Sequence, residues 1–234
     1  MAYSREQALT LHKDYQENVK NWEYYIRSYN GGYDYSIGQY LNRYNLELDN
    51  EFNQRLANTP CDNHCKNIIQ IYSSFLFRVK ASRDFGNMQD EASLESFLKD
   101  ADLEGNSFTS VVKQAQNYAS IYGHCMLILD KPSIQTNTKA EEINQEIRPY
   151  ISIVTPENIF DWNFERQPNG KYILNYLKIR EEVDKSGGSY MRLWYPDRVD
   201  TIYVEEVGTE PTLIDTATNQ IGKIPAVILY NAKS

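Results

Sequence analysis

The sequence lacks long hydrophobic runs. Its longest apolar stretches, residues 125–129 and 226–230, are each five residues long, whereas a helix that crosses a bilayer needs about 20 residues. The first residues also lack the apolar segment and the small-residue cleavage pattern of a secretory signal. The sequence therefore predicts neither a membrane span nor a secretory signal.

Cysteine and glycosylation signals are scarce as well. The chain has three cysteines, an odd number, and no Asn-x-Ser/Thr site. Secreted proteins of this size usually pair their cysteines in disulfides. The composition therefore indicates a reducing cytoplasm as the place where the chain folds.

Basic residues are in deficit. The 24 Lys and Arg residues are outnumbered by 32 Asp and Glu residues, which gives a formal net charge of −8. A protein that binds nucleic acid tightly draws its affinity from basic side chains that neutralise phosphates. The charge balance therefore argues against tight DNA binding.

Tyrosine, by contrast, is in excess. The chain has 19 Tyr against 8 Phe and 3 Trp. Because tyrosine combines a large apolar ring with a polar tip, it suits surfaces that are buried between subunits. It equally suits the margin of a single hydrophobic core, and the composition leaves both interpretations open.

The length of 234 residues fits one large domain or two small ones. Apolar residues recur at three- and four-residue steps in residues 1–123, which predicts a mainly helical region. In residues 124–234 the period changes to two, which predicts a mainly β region. Helices followed by strands indicate an α+β fold, with N-terminal helices packed on a C-terminal, mainly antiparallel sheet.

Local signals place the helices. Ser4 and Gln7 form a capping-box candidate at the start of the first helix. Asp62 is expected to cap the third helix, whose apolar face should be buried. That face consists of Ile68, Ile69, Tyr72, Phe75, Leu76 and Val79. The helices are expected at residues 4–28, 49–58, 62–79, 92–103 and 108–122.

The alternating pattern places the strands. Residues 131–148 are polar and are expected to form a loop or an insertion between strands. Ser186, Gly187 and Gly188 supply the turn of a hairpin. The strands are expected at residues 125–129, 150–154, 172–183, 190–195, 199–207 and 224–230.

Trp162 is expected to lie outside the strands. It ends the stretch Thr155-Pro156-Glu157-Asn158-Ile159-Phe160-Asp161-Trp162, in which Pro156 fixes the backbone and Asn158 or Asp161 can bond back to main-chain amides. A connection this apolar should be held against the core or against a neighbouring subunit. The sequence leaves both options open.

Cysteine and histidine residues recur at a spacing that could hold zinc. Cys61, His64 and Cys65 are followed by His124 and Cys125, and thiolates with imidazoles can complete a tetrahedral site. However, Cys61 lies at a helix start, and Cys125 lies in an expected buried strand, where cysteine acts as a small hydrophobic residue. The sequence therefore predicts no metal site at these residues.

The stretch Asp100-x-Asp102-x-Glu104-Gly105 resembles the start of a calcium-binding loop. The twelfth position of such a loop should be a bidentate Glu, whereas here it is Val111. We therefore expect a helix end followed by a cap at Asn106 or Ser107, and no calcium site.

Catalytic motifs are missing. The chain has no G-x-S-x-G or G-x-G-x-x-G motif, and Gly222-Lys223 has Ala217 in place of the upstream Gly and no following Ser/Thr. None of the histidines His12, His64 and His124 lies beside both a plausible nucleophile and an orienting carboxylate in a loop.

The acidic pairs Glu181-Glu182 and Glu205-Glu206 do not predict a shared proton either. Adjacent strand residues point to opposite faces of a sheet, so the two carboxylates of each pair cannot meet. A solvated sheet edge is the expected role. The sequence thus predicts no catalytic residue, no bound cofactor and no metal ligand.

Several stretches of the chain follow one another in a characteristic order. They are Trp22, Tyr29-x-Gly31-Gly32, Tyr40-Leu41, Asp100-Ala101-Asp102-Leu103-x-Gly105, Leu127-x-Leu129-Asp130, Pro149-Tyr150-Ile151, Thr155 to Trp162, Ile179-Arg180-Glu181, Arg192-Leu193-Trp194 and Gly222-Lys223-Ile224-Pro225. In this order they resemble the N-terminal half of tailed-bacteriophage portal proteins, over nearly the whole chain.

The resemblance implies a structural virion protein without catalysis. It implies a ring, typically of twelve identical subunits, at one capsid vertex, through which DNA is packaged and ejected without sequence-specific binding. The implied partners are the terminase motor, the head–tail adaptor and the major capsid protein, and assembly would occur in the host cytoplasm. The chain would form the wing, and its end at Ser234 just after a strand suggests that the stem, clip and crown lie outside it.

Two other functions stay open at this point. One is a phage-encoded, metal-dependent nuclease or hydrolase, in which Asp100, Asp102 and Asp130 would have to converge around an ion. The other is a different virion adaptor or connector protein.

Overall fold

The computed structural model describes residues 3–59, 63–89, 91–132, 134, 138–145, 147–205, 207–208 and 210–231. The helices are α1 (Arg5–Leu9), α2 (Lys13–Asn30), α3 (Gly32–Ile37), α4 (Asp49–Asn58), α5 (His64–Leu76), α6 (Ala92–Lys99), α7 (Phe108–Tyr122) and α8 (Lys139–Asn144). The strands are β1 (His124–Asp130), β2 (Tyr150–Val154), β3 (Ile159–Arg166), β4 (Tyr172–Val183), β5 (Ser189–Trp194), β6 (Arg198–Val204), β7 (Thr212–Thr218) and β8 (Ala226–Tyr230). Helices precede strands, which confirms the α+β fold.

The expected first helix is two helices. The capping box is confirmed, because the Ser4 hydroxyl accepts from the Gln7 backbone N–H and the Gln7 side chain accepts from that of Ser4. The chain then leaves the helix at Thr10 and restarts at His12, whose Nδ1 accepts from the Asp14 N–H at 3.2 Å. The His12 N–H donates to the carbonyl of Phe160 at 2.8 Å, so a bond to the sheet replaces the helical bond.

Gly31 ends α2 and lies against the start of α5. Its φ is 67°, and a Cβ at this position would lie 2.9 Å from Nδ2 of Asn63, so only glycine fits here. Asn63 caps α5, because its Oδ1 accepts from the Lys66 N–H at 2.9 Å. Its Nδ2 donates to the Tyr29 carbonyl at 2.5 Å, which ties α5 to the end of α2. The expected cap, Asp62, lies outside the described residues.

The strands form two antiparallel sheets rather than one. The small sheet has the order β2-β1-β8, and the large sheet is a meander in the order β3-β4-β5-β6-β7. The expected strands are present at shifted ends, and the segment from 131 to 148 contains α8. Two strands, β3 and β7, were not predicted.

Trp162 shows why β3 was missed. Only Pro156–Asn158 form the turn, as a short 3₁₀ helix, and Trp162 lies in β3 opposite Leu177 of β4. The prediction that Trp162 lies in a connection is therefore wrong. The side chain is half-buried and stacks on the His12 ring at a centroid distance of 3.9 Å, so its own chain holds it.

The large sheet is covered on both faces. On one face, Tyr15 and Trp22 of α2 pack in the same cluster as Leu193 and Ile202 of the sheet. On the other face, the small sheet contributes a second cluster. Its members include Met126, Ile128, Leu177, Ile179 and Trp194. A third cluster places Ala115, Ala119 and Cys125 between α7 and the outer face of the small sheet.

Lys178 joins the helical layer to the large sheet. The side chain is fully buried, and its ammonium donates to the carbonyls of Gln7 and Ala8 at 3.1 Å and to that of Thr10. These carbonyls belong to the C-terminal end of α1, where helical acceptors have no partner in the helix. A buried cation therefore caps α1 from the sheet.

A polar cluster joins the two sheets. Asp130, at the end of β1, accepts from Arg192 of β5 at 2.5 Å and from the Tyr150 hydroxyl of β2 at 2.9 Å. Burial and the neighbouring Asp130 raise the pKa of Tyr150 to about 12.

Across the described ranges, no helix is both long enough and apolar enough to cross a membrane.

Candidate functional site

One side of α5 is apolar and faces solvent. The helix packs on α2 and α7, and it does so through the half-buried Ile69 and the buried Ser73. The remaining apolar residues form a stripe at helical spacing, which we call the α5 face. It consists of Ile68, Ile71, Tyr72, Phe75 and Leu76, together with Val79, which lies three residues beyond the end of α5. The prediction that this helix buries its apolar stripe is therefore wrong for every member except Ile69.

The α5 face is large for a surface patch. Tyr72 is 72% exposed and Phe75 is 68% exposed, which corresponds to roughly 200–350 Å² for the two rings together. The four aliphatic side chains, each more than half exposed, bring the total to about 400–700 Å². The largest apolar patch of a typical monomer is about 300–600 Å², and patches of this size mark interaction sites.

The sequence of α5 and the segment that follows it is basic. Residues 64–83 contain Lys66, Arg78, Lys80 and Arg83 and no acidic residue. Arg78 and Lys80 are exposed at the C-terminal end of α5. In a chain with a net charge of −8, this surface is locally positive.

The far edge of the large sheet is formed by β7. Strand β7 pairs with β6 on one side, and no described strand pairs with its other side. Residues 205–215 contain Glu205, Glu206, Glu210 and Asp215 and no basic residue. We call this region, with its exposed apolar residues, the β7 edge.

Apolar side chains are exposed at the β7 edge too. Val207 is 80% exposed, and Leu213 and Ile214 are also exposed. Ile214 lies at a bulge, because the pairing passes from Asp215 opposite Thr201 to Leu213 opposite Ile202. An exposed edge strand is a template for contact with another chain unless charge protects it. Arg5 lies against this region, since its backbone N–H donates to the Glu210 carboxylate at 2.7 Å and its guanidinium donates to the Glu205 carbonyl at 3.1 Å. The β7 edge is therefore a partly apolar surface with a basic neighbour.

The tyrosines are divided between the interior and the surface. Tyr15 and Tyr122 are buried, and ten others are half-buried. Seven are exposed, and all but two of these lie on the helical layer from α2 to α5. They are Tyr24, Tyr25, Tyr33, Tyr44, Tyr72, Tyr172 and Tyr230. The helical layer therefore carries most of the exposed aromatic surface.

The zinc candidates are spread over two elements. His64 and Cys65 are exposed in the first turn of α5, whereas Cys125 is buried in β1 and its thiol donates to the Ala115 carbonyl at 3.2 Å. Burial raises the pKa of the Cys125 thiol to about 11. His124 is adjacent on β1, where burial lowers its pKa.

No three potential metal ligands converge within the described part of the chain. Cys61 lies outside the described residues. The absence of a metal site therefore stays a prediction, which an experiment below addresses.

The calcium-like stretch forms a loop held by its own bonds. Asp100 accepts from Arg148 at 2.5 Å and from the Gly105 N–H at 2.9 Å. Asp102 accepts from the Glu104 N–H at 3.0 Å. The next helix, α7, is capped as expected, because the Ser107 hydroxyl accepts from the Ser110 N–H.

The three carboxylates of the hydrolase alternative are therefore engaged in different local structures. Asp100 pairs with Arg148, Asp102 stabilises its own turn, and Asp130 pairs with Arg192 at the sheet junction. Val111, at the twelfth position of the calcium-like stretch, is 1% exposed. Nothing in this arrangement favours hydrolysis.

The acidic pairs have separate surroundings. Glu181 accepts from Arg192 at 3.2 Å, and burial raises its pKa, whereas Glu182 is exposed. Glu205 follows β6, and Glu206 lies outside the described residues. Gly222 and Lys223 lie in the turn between β7 and β8.

The comparison with known protein families settles which family these features belong to. Residues 9–234 match the family described as phage portal protein, SPP1 Gp6-like. The chain belongs to this family. The resemblance read from the order of motifs is thereby confirmed, and portal proteins of this family are structural components of bacteriophages rather than enzymes. No curated protein matches the chain significantly.

Proposed function

We propose that this portal protein is a subunit of a closed homo-oligomeric ring, typically of twelve copies, at one vertex of a phage capsid. The ring forms the channel for DNA packaging and ejection and joins the head to the tail. The observation that carries the proposal is the family match over residues 9–234. The chain takes part as a scaffold and has no catalytic role.

The surface of the chain supports a role in assembly. The α5 face and the β7 edge are exposed and partly apolar, and they lie on different elements. A contact between two different surfaces of the same chain is heterologous, and such contacts form rings when the rotation closes. Both surfaces are thus available for head-to-tail contacts.

The charge of the chain supports a channel that lets DNA slide. Each subunit carries −8, so twelve subunits would carry −96. Acidic surfaces repel phosphates, with a range of about 10 Å at 0.1 M salt. DNA would therefore pass without sequence-specific binding.

The proposal also assigns the parts and the partners. Residues 1–123 and 124–234 together form a wing-like domain of the ring. The partners would be the terminase motor, the head–tail adaptor and the major capsid protein. The protein would be assembled in the host cytoplasm and remain in the virion.

Particle mass tests the proposal. The full-length protein at micromolar concentration should give one species of many subunits by mass photometry and by native mass spectrometry. A monodisperse monomer under the same conditions would contradict the ring.

A further inference from the structure

We propose that a cavity between α2 and the two sheets binds a small organic cation, an alkylammonium or a guanidinium group on a short apolar stem. The cavity has a volume of about 440 Å³, which lies in the range of about 300–1,000 Å³ that is typical of ligand sites. Residues of α2, of β3 and of the small sheet line it. The site goes beyond the proposed ring, because all of these residues belong to one subunit.

Five described aromatic rings line the cavity. They are Trp22, His124, Trp162, Phe164 and Tyr230. The centroid of the His124 ring lies 5.8 Å from that of Trp22 and 6.1 Å from that of Tyr230, so these three rings form a continuous wall. Because the face of an aromatic ring carries a partial negative charge, several rings around one space attract a cation.

A carboxylate lies at the open side of the cavity. Asp14 is a lining residue, and its side chain is 64% exposed. The neighbouring Lys13 pairs with Glu17, at 3.6 Å, rather than with Asp14. Nδ1 of His12 lies 3.7 Å from the carboxylate, but it accepts from the Asp14 backbone N–H and therefore donates nothing to the carboxylate. Asp14 is thus the charged group that a bound cation would meet.

The cavity offers acceptors but no positive charge. Asn18 donates through Nδ2 to the Asp14 carbonyl at 2.8 Å, which leaves its Oδ1 as an acceptor. None of the described lining residues is a lysine or an arginine. Burial lowers the pKa of His124, so this ring is uncharged at pH 7. An anion would be repelled by Asp14, and an uncharged apolar molecule would leave both acceptors unused, so the wall favours a cation.

A pair of matched probes tests the preference for charge. Choline and neohexyl alcohol have the same shape, but in the alcohol a carbon atom replaces the charged nitrogen. We expect the full-length protein to bind choline at least tenfold more tightly than the alcohol, since only the cation interacts with the ring faces and the carboxylate. Ligand-observed NMR measures both affinities, and ring currents should shift the methyl signals of bound choline upfield.

Two variants with matched controls locate the site. Asp14→Asn removes an exposed charge at the cavity, and Glu182→Gln removes one outside it. Phe164→Leu replaces a lining ring by an aliphatic group, and Tyr172→Leu does the same at a ring outside the cavity that is 66% exposed. All four side chains are exposed, so we expect all four variants to melt like the wild type. The two cavity variants should bind choline at least fivefold more weakly, and the two controls should bind it like the wild type.

A second pair of probes distinguishes the two sources of such a cation. Propylguanidinium is a free guanidinium, whereas acetylarginine methylamide carries the same group as part of an arginine residue. Tighter binding of propylguanidinium would support the cavity as a site for a free cation. Tighter binding of acetylarginine methylamide would support it as a site for an arginine side chain of another protein.

Three results would overturn the inference. The first is equal affinity for choline and neohexyl alcohol, because the cavity would then be merely apolar. The second is an Asp14→Asn protein that binds choline as well as Glu182→Gln does, and the third is no detectable binding of any probe at millimolar concentration. None of these results bears on the ring, which particle mass tests separately.

Discussion

Replacing Lys178 by Met should destabilise the subunit by removing the cap of α1. The side chain of methionine fills nearly the same volume as that of lysine. The change therefore removes the ammonium and keeps the packing of the aliphatic part of the side chain. Three carbonyls lose a donor, those of Gln7, Ala8 and Thr10. The contact to Ala8 is fully buried, whereas those to Gln7 and Thr10 are only partly buried.

The magnitude follows from these contacts. A buried acceptor without a partner costs about 1–3 kcal/mol, and each partly buried hydrogen bond contributes about 0.5–1.5 kcal/mol. The total of about 2–6 kcal/mol is offset in part, because the variant no longer buries a cation. We expect a net loss of about 1–4 kcal/mol, which lowers the Tm of a domain of this size by about 2–16 °C.

The assay is thermal and denaturant unfolding of the variant beside Lys20→Met, a control in which an exposed lysine of α2 is changed. The control should stay within about 0.5 kcal/mol of the wild type. Hydrogen exchange of the α1 amides should also accelerate in Lys178→Met alone. A Lys178→Met protein as stable as the control would refute the reasoning, because the cost of burying the cation would then equal the benefit of its three contacts.

Three further predictions concern Trp162, His124 and metal. Trp162→Ala should cost about 1.5–3 kcal/mol, less than the 3–5 kcal/mol of a fully buried tryptophan, because the ring is half-buried on His12; an unchanged Tm would contradict this. Burial lowers the pKa of His124 in the folded protein, so just below pH 6.5 the unfolded chain binds more protons than the folded one. The free energy of unfolding should therefore fall as the pH drops through that window. In melts at several pH values, His124→Gln should weaken this dependence, and an equally steep dependence in the variant would contradict the prediction. EDTA should leave the Tm unchanged, whereas stoichiometric zinc by elemental analysis together with destabilisation by EDTA would overturn the prediction of no metal.

The sequence predicted the fold class well because period and capping are local properties. The capping box at Ser4 and the extent of β4 followed from patterns within a few residues. Strand β4 nevertheless buries Leu177, Lys178 and Ile179 in succession. Alternation fails there because α1 and the small sheet cover opposite faces of the same strand.

The role of Lys178 could not be predicted from sequence for the same reason. A lysine next to two buried residues is ordinarily a solvent-facing member of an alternating strand. Its burial depends on α1, which lies about 170 residues earlier in the chain. Only the tertiary arrangement brings those three carbonyls to the ammonium.

The apolar stripe of the α5 face was recognised in the sequence, but its burial was predicted wrongly. An apolar stripe at helical spacing shows that a helix face is to be covered, but not whether the same chain covers it. The stripe of α5 was therefore expected in the core, and the structure leaves it exposed. Strand β7 was missed because its Thr-rich sequence has no strong apolar alternation.

Electron microscopy of full-length particles tests the central claim most directly. Class averages should show closed rings of one size, with rotational symmetry and an open central channel. Monomers, open filaments or closed particles without a channel would contradict the account of this chain as a portal ring subunit.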